Sequence, residues 1–207
     1  MRATDVLKAE HRAIERVLDC LDTMADQWHR LDTLDADSAH QAIDFFRHFA
    51  DGCHHHKEEK HLFPLMETRG VAKERGPIGV MLHEHNEGRQ LLGSMDAAVA
   101  DWKQGKRTAG DTFARAAEEY SALLRQHISK EDHCLFAMAD HVLSNEDQAD
   151  LLSTFQHSDH QDEQEGKHAY YLNLANELTR KYIAVPATAS SCGQGVCACS
   201  HAVELVG

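Results

Sequence analysis

Apolar residues recur along the chain at spacings of three and four, the mark of one buried helical face, and no stretch alternates apolar with polar as a strand would. A first helix is predicted from Leu7, Ile14, Leu18, Leu21, Ala25 and Trp28, opened by Thr4 or Asp5 as its cap. A second is predicted from about Ser38 to Glu67, with Ile43, Phe46, Ala50, Leu62 and Leu65 inward. A third begins near Pro77, a residue suited to a first helical turn, and carries Ile78, Leu82, Leu92, Met95, Val99 and Trp102. The fourth, capped by Asp111 or Thr112, shows Phe113, Ala117, Tyr120, Leu124, Met138 and Val142 on one face. The connections Gly70 to Gly76 and Lys103 to Gly110 are short, which favours antiparallel neighbours. The expected fold is therefore all-α: an up-down-up-down four-helix bundle over residues 1–143, one or two accessory helices over 144–183, and a linker with a flexible Cys-rich tail over 184–207.

Each apolar stripe is broken where an apolar residue belongs. The interruptions are His11 on the first helix, His54 and Glu58 on the second, His85 on the third, and His127 and Glu131 on the fourth. An internal repeat sharpens the choice. HHHKEEKHLFPLM from His54 lies over HISKEDHCLFAMA from His127 without a gap, matching Lys57 to Lys130, Glu58 to Glu131 and Phe63 to Phe136. Of three adjacent histidines the repeat thus picks His54, and AEHRAIERVL laid over HEHNEGRQLL pairs His11 with His85 in the same way.

Composition narrows the function. With 21 Lys and Arg against 34 Asp and Glu the formal charge is −13, so a surface that tracks nucleic-acid phosphates or anionic lipid is not expected. No apolar run is long enough for a membrane span, and MRATDVLKAEHRAIE lacks the apolar core of an export signal, which reads as a cytoplasmic chain. Histidine is the abnormal residue: 17 of 207, spread from His11 to His201 rather than gathered at one end as a purification tag would be. The six cysteines do not form a disulfide framework. Cys20, Cys53 and Cys134 sit within helical stretches, while Cys192, Cys197 and Cys199 crowd the end beside His201. That last group could hold a second metal or relay redox equivalents, although its Cys-x-Cys step is tighter than usual zinc spacing.

On an α-helix, residues four apart share a face, so His54 with Glu58 and His127 with Glu131 can each aim two donors at one point. Adding His11 and His85 gives four imidazoles and two carboxylates converging between four helices, which matches a pair of metal ions bridged by carboxylates. Imidazole with carboxylate and no thiolate suits iron or manganese better than structural zinc, and two iron ions are the expected cofactor. Burying those six groups without metal would cost several kcal/mol per ion.

These residues resemble the hemerythrin-like, or HHE cation-binding, domains. The likeness covers roughly Asp5 to Leu143 and rests on EH in the first helix, HHHKEEKHLFP in the second, EHNEGR in the third and HISKEDHCLF in the fourth. It implies a non-haem di-iron centre with His11, His54, His85 and His127 as terminal ligands and Glu58 and Glu131 as bridges. It also implies chemistry on dioxygen, peroxide or nitric oxide in oxidative or nitrosative stress defence, with an electron donor for any turnover. The alternative is an iron-sensing, iron-storage or iron-delivery module without turnover, so whether the protein is an enzyme stays open. Oxygen-carrying members place two histidines four apart on the third helix and a later Asp on the fourth. Here Arg89 stands four after His85 and the fourth-helix carboxylate is Glu131, so the chain is similar to the bacterial and regulatory branch. His55 with Glu59, His83 with Glu87, and His11 with Glu15 also have the four-residue spacing, and a seventh ligand could come from His55, Glu59, His83 or Glu87. Glu58 with His61 and Glu165 with His168 show a ferritin-like order, but the lone carboxylates such a site needs are not evident. Tyr120, seven residues before His127, could donate a hydrogen bond near the metals or be ordinary core.

Overall fold

The computed structural model describes residues 1–164 and 167–183. The tail with Cys192, Cys197, Cys199 and His201, and Glu165 of the ferritin-like pair, lie outside the described residues. The described chain is a helical bundle. Helix α1 spans Ala3–Leu31 and α2 starts at Ala36, running through Phe45 into two wide π-helical segments, Phe46–His55 and Glu58–Leu62, that lead to α3 at Phe63–Thr68. Helix α4 spans Pro77–Lys103. Helix α5, Ala109–Lys130, passes through a third wide turn, Glu131–Leu135, into α6 at Phe136–Val142, and α7 (Asn145–Gln164) and α8 (Lys167–Tyr182) follow. Helix α4 packs along α5, α1 along α5, α2 against α4, and α8 covers α1 and α2 with α7 beside it.

The helix starts differ from expectation in detail. The cap of α1 is Arg2, whose backbone N–H donates to the Asp5 carboxylate at 2.7 Å, because Thr4 is drawn inward to Asp140 at 2.8 Å. Asp35 caps α2, its carboxylate accepting from the backbone N–H groups of Asp37 and Ser38. Helix α5 begins at Ala109, ahead of Asp111, and Asp111 accepts instead from the Trp28 indole at 2.9 Å. One wide segment runs up to a proline, while its counterpart Glu131–Leu135 forms with Ala137 in the matching place. Pro64 has no N–H to offer a continuous α-ladder, and the second wide segment ends just before it.

The core is two apolar clusters separated by a polar layer. One cluster gathers Ile14, Leu18, Phe46, Phe49, Leu92, Tyr120 and Leu124 among others; the second gathers Leu7, Leu62, Phe63, Ile78, Leu135, Phe136 and Phe155. Between them on each helix stand the stripe-breaking residues: His11, His54, Glu58, His85, His127 and Glu131, all buried. The second cluster comes first along α1 and α4, and the first cluster comes first along α2–α3 and α5–α6.

Candidate metal centre

All six residues singled out by the repeat meet in that layer. His11 Nε2 is 3.2 Å and His127 Nε2 3.3 Å from Glu131 Oε2, while His54 Nε2 is 3.6 Å from Glu58 Oε1 and His85 Nε2 3.5 Å from Glu58 Oε2. The Nε2 atoms of His85 and His127 are 3.1 Å apart. A seventh group joins them. His55, 5% exposed, stacks on His85 with ring centroids 3.8 Å apart and forms, with Glu58, His85 and His127, one of two sets among the described residues whose ligand atoms all lie within 4.8 Å of one another. The other set is His11, His54, Glu58 and Glu131, so Glu58 belongs to both.

His55 falls off the apolar stripe only if the helix is a regular α-helix. An i→i+5 turn holds an extra residue, which lets the adjacent His54 and His55 both face inward at the end of the first wide segment. The remaining candidates do not join. His83 and Glu87 are exposed, and Glu15 pairs with Arg12 at 2.9 Å on the surface. Glu59 faces the back of His85 rather than the centre. His61 turns toward His56 and Phe155, away from the ferritin-like arrangement, and Tyr120 packs in the first cluster with its ring 4.9 Å from Phe46.

Behind the imidazoles lies a crossed set of carboxylates. The residue before each EH-motif histidine holds the histidine of the other motif: Glu10 binds His54 Nδ1 at 2.9 Å and Glu84 binds His127 Nδ1 at 3.0 Å. The residue after each inward glutamate returns the favour, Glu59 to His85 Nδ1 and Asp132 to His11 Nδ1, both at 2.8 Å. Every one of these carboxylates is tied to a cation: Glu10 to Lys57, Glu84 to Lys130, Asp132 to Arg12 and Glu59 to Arg89. Each Nδ1 therefore donates its proton outward, which assigns the tautomer and leaves the Nε2 lone pair facing in. Three of these anchors, Glu10, Glu84 and Asp132, were missed in the sequence and Glu59 was singled out as a possible seventh ligand, although the repeat carries all four in register: Glu10 with Glu84, and Glu59 with Asp132.

Without metal the layer is held by protons. Burial raises the Glu58 carboxyl far above the usual range and the neighbouring Glu131 charge adds to it. Glu131 is driven far below despite burial, by the His127 and His11 imidazoles. Burial opposes charge on His127, yet Glu131 and Glu84 raise it to about 9. Burial, with His11 nearby, lowers His54 to about 4. The proton balance still leaves orphans: His11 Nε2, His54 Nε2 and both oxygens of Glu58 and of Glu131 have no hydrogen-bond partner, because the short His–Glu distances lie off the hydrogen-bonding line. Six buried polar atoms converging without hydrogen-bond partners fit a cation, which would take the place of the protons. Beside the layer, a cavity of about 10 Å³, roughly the size of one water, is bordered by His55, His85, Gly88, Arg89 and Tyr120.

A box of buried imidazoles and carboxylates at mid-height of a helical bundle defines a helical cation-binding module. The family model for the hemerythrin HHE cation binding domain matches residues 2–139, and the chain belongs to that family. The chain is 25% identical over 158 residues, 76% of its own length, to the uncharacterized protein Rv1995 of Mycobacterium tuberculosis and equally to Mb2018 of Mycobacterium bovis. That match spans 61% of the mycobacterial relatives' length. It is 34% identical over 88 residues to the iron-sulfur cluster repair protein YtfE of Edwardsiella ictaluri, across 42% of this chain and 40% of the relative. No solved structure matches the chain. No helix among the described residues is long and apolar enough to cross a membrane.

Proposed function

We propose that the protein binds two iron ions in the polar layer and uses them to bind or react with dioxygen, peroxide or nitric oxide in stress defence. The observation that carries this reading is the set of six orphaned buried atoms on His11, His54, Glu58 and Glu131, completed by the facing Nε2 atoms of His85 and His127. His11 and His54 would serve one ion and His85, His127 and His55 the other, with Glu58 and Glu131 between them. Bound there, an iron pair supplies redox-active Lewis-acid centres with room for a small ligand. The protein's own residues do the rest. The carboxylates at each Nδ1 fix the ring orientation and strengthen the donor, and the apolar clusters on both sides keep bulk water from the layer. The neighbouring cavity has room for about one water-sized group, which favours a small ligand over any larger metabolite.

One observation favours a second reading, iron delivery without turnover: the relative from Edwardsiella ictaluri is named for repair of iron-sulfur clusters. A single preparation tests both. Untagged protein loaded with ferrous iron without air should hold about two irons per chain and develop near-ultraviolet absorption on exposure to air. Multiple turnovers of nitric oxide or peroxide with an electron donor support the reactive centre; stoichiometric iron transfer to an acceptor without turnover supports delivery. Less than one tightly held iron per chain would overturn both.

A further inference from the structure

The two halves of the layer are built alike except in one place. The repeat sets His54 against His127 and Glu58 against Glu131, but it sets His55 against Ile128, Asp51 against Leu124, and Arg89 against Glu15. His55 and Asp51 thus have apolar counterparts and Arg89 one of opposite charge, and the three are linked through Asp51. Arg89 Nε lies 2.9 and 3.0 Å from the two Asp51 oxygens, and its Nη2 lies 2.7 Å from Asp51 Oδ1 and 2.7 Å from Glu59 Oε1. Asp51 Oδ1 in turn reaches His55 Nδ1 at 3.4 Å, and Glu59 Oε1 reaches His85 Nδ1 at 2.8 Å. One guanidinium thus spans the carboxylates behind two stacked imidazoles. In the other half Arg12 also reaches two carboxylates, Asp132 and Glu15, but only Asp132 stands behind an imidazole, His11.

We propose that Arg89 is a positioning residue that, through Asp51 and Glu59, sets His55 and His85 as a pair and so builds the metal pocket completed by His127; the inference rests on the metal-centre reading. A planar fork with several donors in fixed geometry can hold two carboxylates at once, whereas an ammonium is a point charge that can favour only one. The Arg89 position, where an oxygen carrier would offer a further histidine on the third helix, here orients a histidine supplied by the second.

Cobalt(II) titrated into the full chain is the probe, with Arg89→Met, Arg89→Lys and Arg12→Met as variants. Wild type should take two equivalents. Arg89→Met should retain one equivalent within about twofold and bind the other about 10–100-fold more weakly, the usual loss when an outer partner of a ligand is removed. In the proton NMR spectrum of the cobalt protein, the shifted N–H signals of two imidazoles should then exchange with solvent while the others persist. Arg89→Lys should recover part of the affinity, and Arg12→Met should disturb one imidazole signal only. Two equivalents bound by Arg89→Met as tightly as by wild type, or both weakened alike, would overturn the proposal. Should the Met variant lose its helical circular dichroism, the Lys variant carries the same comparison, and full wild-type behaviour in it overturns the proposal. If wild type itself takes up no cobalt, the metal-centre reading falls and this inference with it.

Discussion

Glu10→Gln isolates what the buried carboxylate anchors contribute. Glu10 accepts from His54 Nδ1 and pairs with Lys57, whose side chain is only 1% exposed. Burial pushes Glu10 up, but His54 and Lys57 together hold it down at about 2, so it is ionised throughout the working range. A Gln at this position is the same size and still accepts from His54, but takes one negative charge away from the buried Lys57 ammonium. Removing one partner of a buried pair costs at most about 3–5 kcal/mol, a large share of the roughly 5–15 kcal/mol that holds a domain folded. In urea denaturation of the metal-free protein followed by circular dichroism, the midpoint should fall by up to about 2 M at a slope of about 2 kcal/mol/M. Glu10→Gln with Lys57→Met, which removes both charges, should recover most of that loss. The repeat supplies an internal control: Lys130, the partner of Glu84, is 41% exposed, so Glu84→Gln should cost no more than about 1 kcal/mol. A Glu10→Gln loss below about 1 kcal/mol, or a double variant no more stable than the single, would refute the reasoning.

Glu58→Ala and Glu131→Ala should each lower iron content per chain, while His56→Ala, on the exposed side of the same helix, should leave it unchanged by elemental analysis. The metal-free protein should be most stable near the ordinary histidine pKa. Below 6.5 the neutral buried His54, held at about 4, loses stability as the unfolded chain gains its proton; above 6.5 the raised His127 loses about 3 kcal/mol as pH climbs through about 9, which melting curves across pH would register. Metal binding must displace the protons on Glu58 and His127, so apparent metal affinity should rise with pH and loading should release protons into a weakly buffered solution, measurable with an indicator dye. Gly110→Ala would place a Cβ about 2.3 Å from the Trp28 ring, and the forced shift should destabilise by about 1–3 kcal/mol in the same urea assay.

The bundle and its six inward polar residues were legible because periodicity and repeat agree: a polar residue at an apolar register, matched in both halves, has few other uses. His55 stood out only as one of four candidates for a seventh ligand, since its inward direction depends on a wide turn that a fixed angle of rotation per residue does not describe. The anchors Glu10, Glu84 and Asp132 were hidden differently, and Glu59 stood out only as a possible ligand. They lie beside the stripes, where a charged residue reads as surface, and only the crossing of the motifs in space puts each behind the other's histidine. Their cations Lys57 and Lys130 stand at matched positions, a signal in plain sight once the partner of each is known.

A hairpin of two helices that paired with a copy of itself could only ever make twin pockets, because any side chain placed in one must appear in its mirror. Joining the copies in a single polypeptide lifts that restriction. Position 55 and its counterpart 128 can then differ, one an imidazole and the other an isoleucine, without either disturbing its sibling's register. Duplication followed by fusion is in this sense the step that allows two neighbouring ions to be given different jobs.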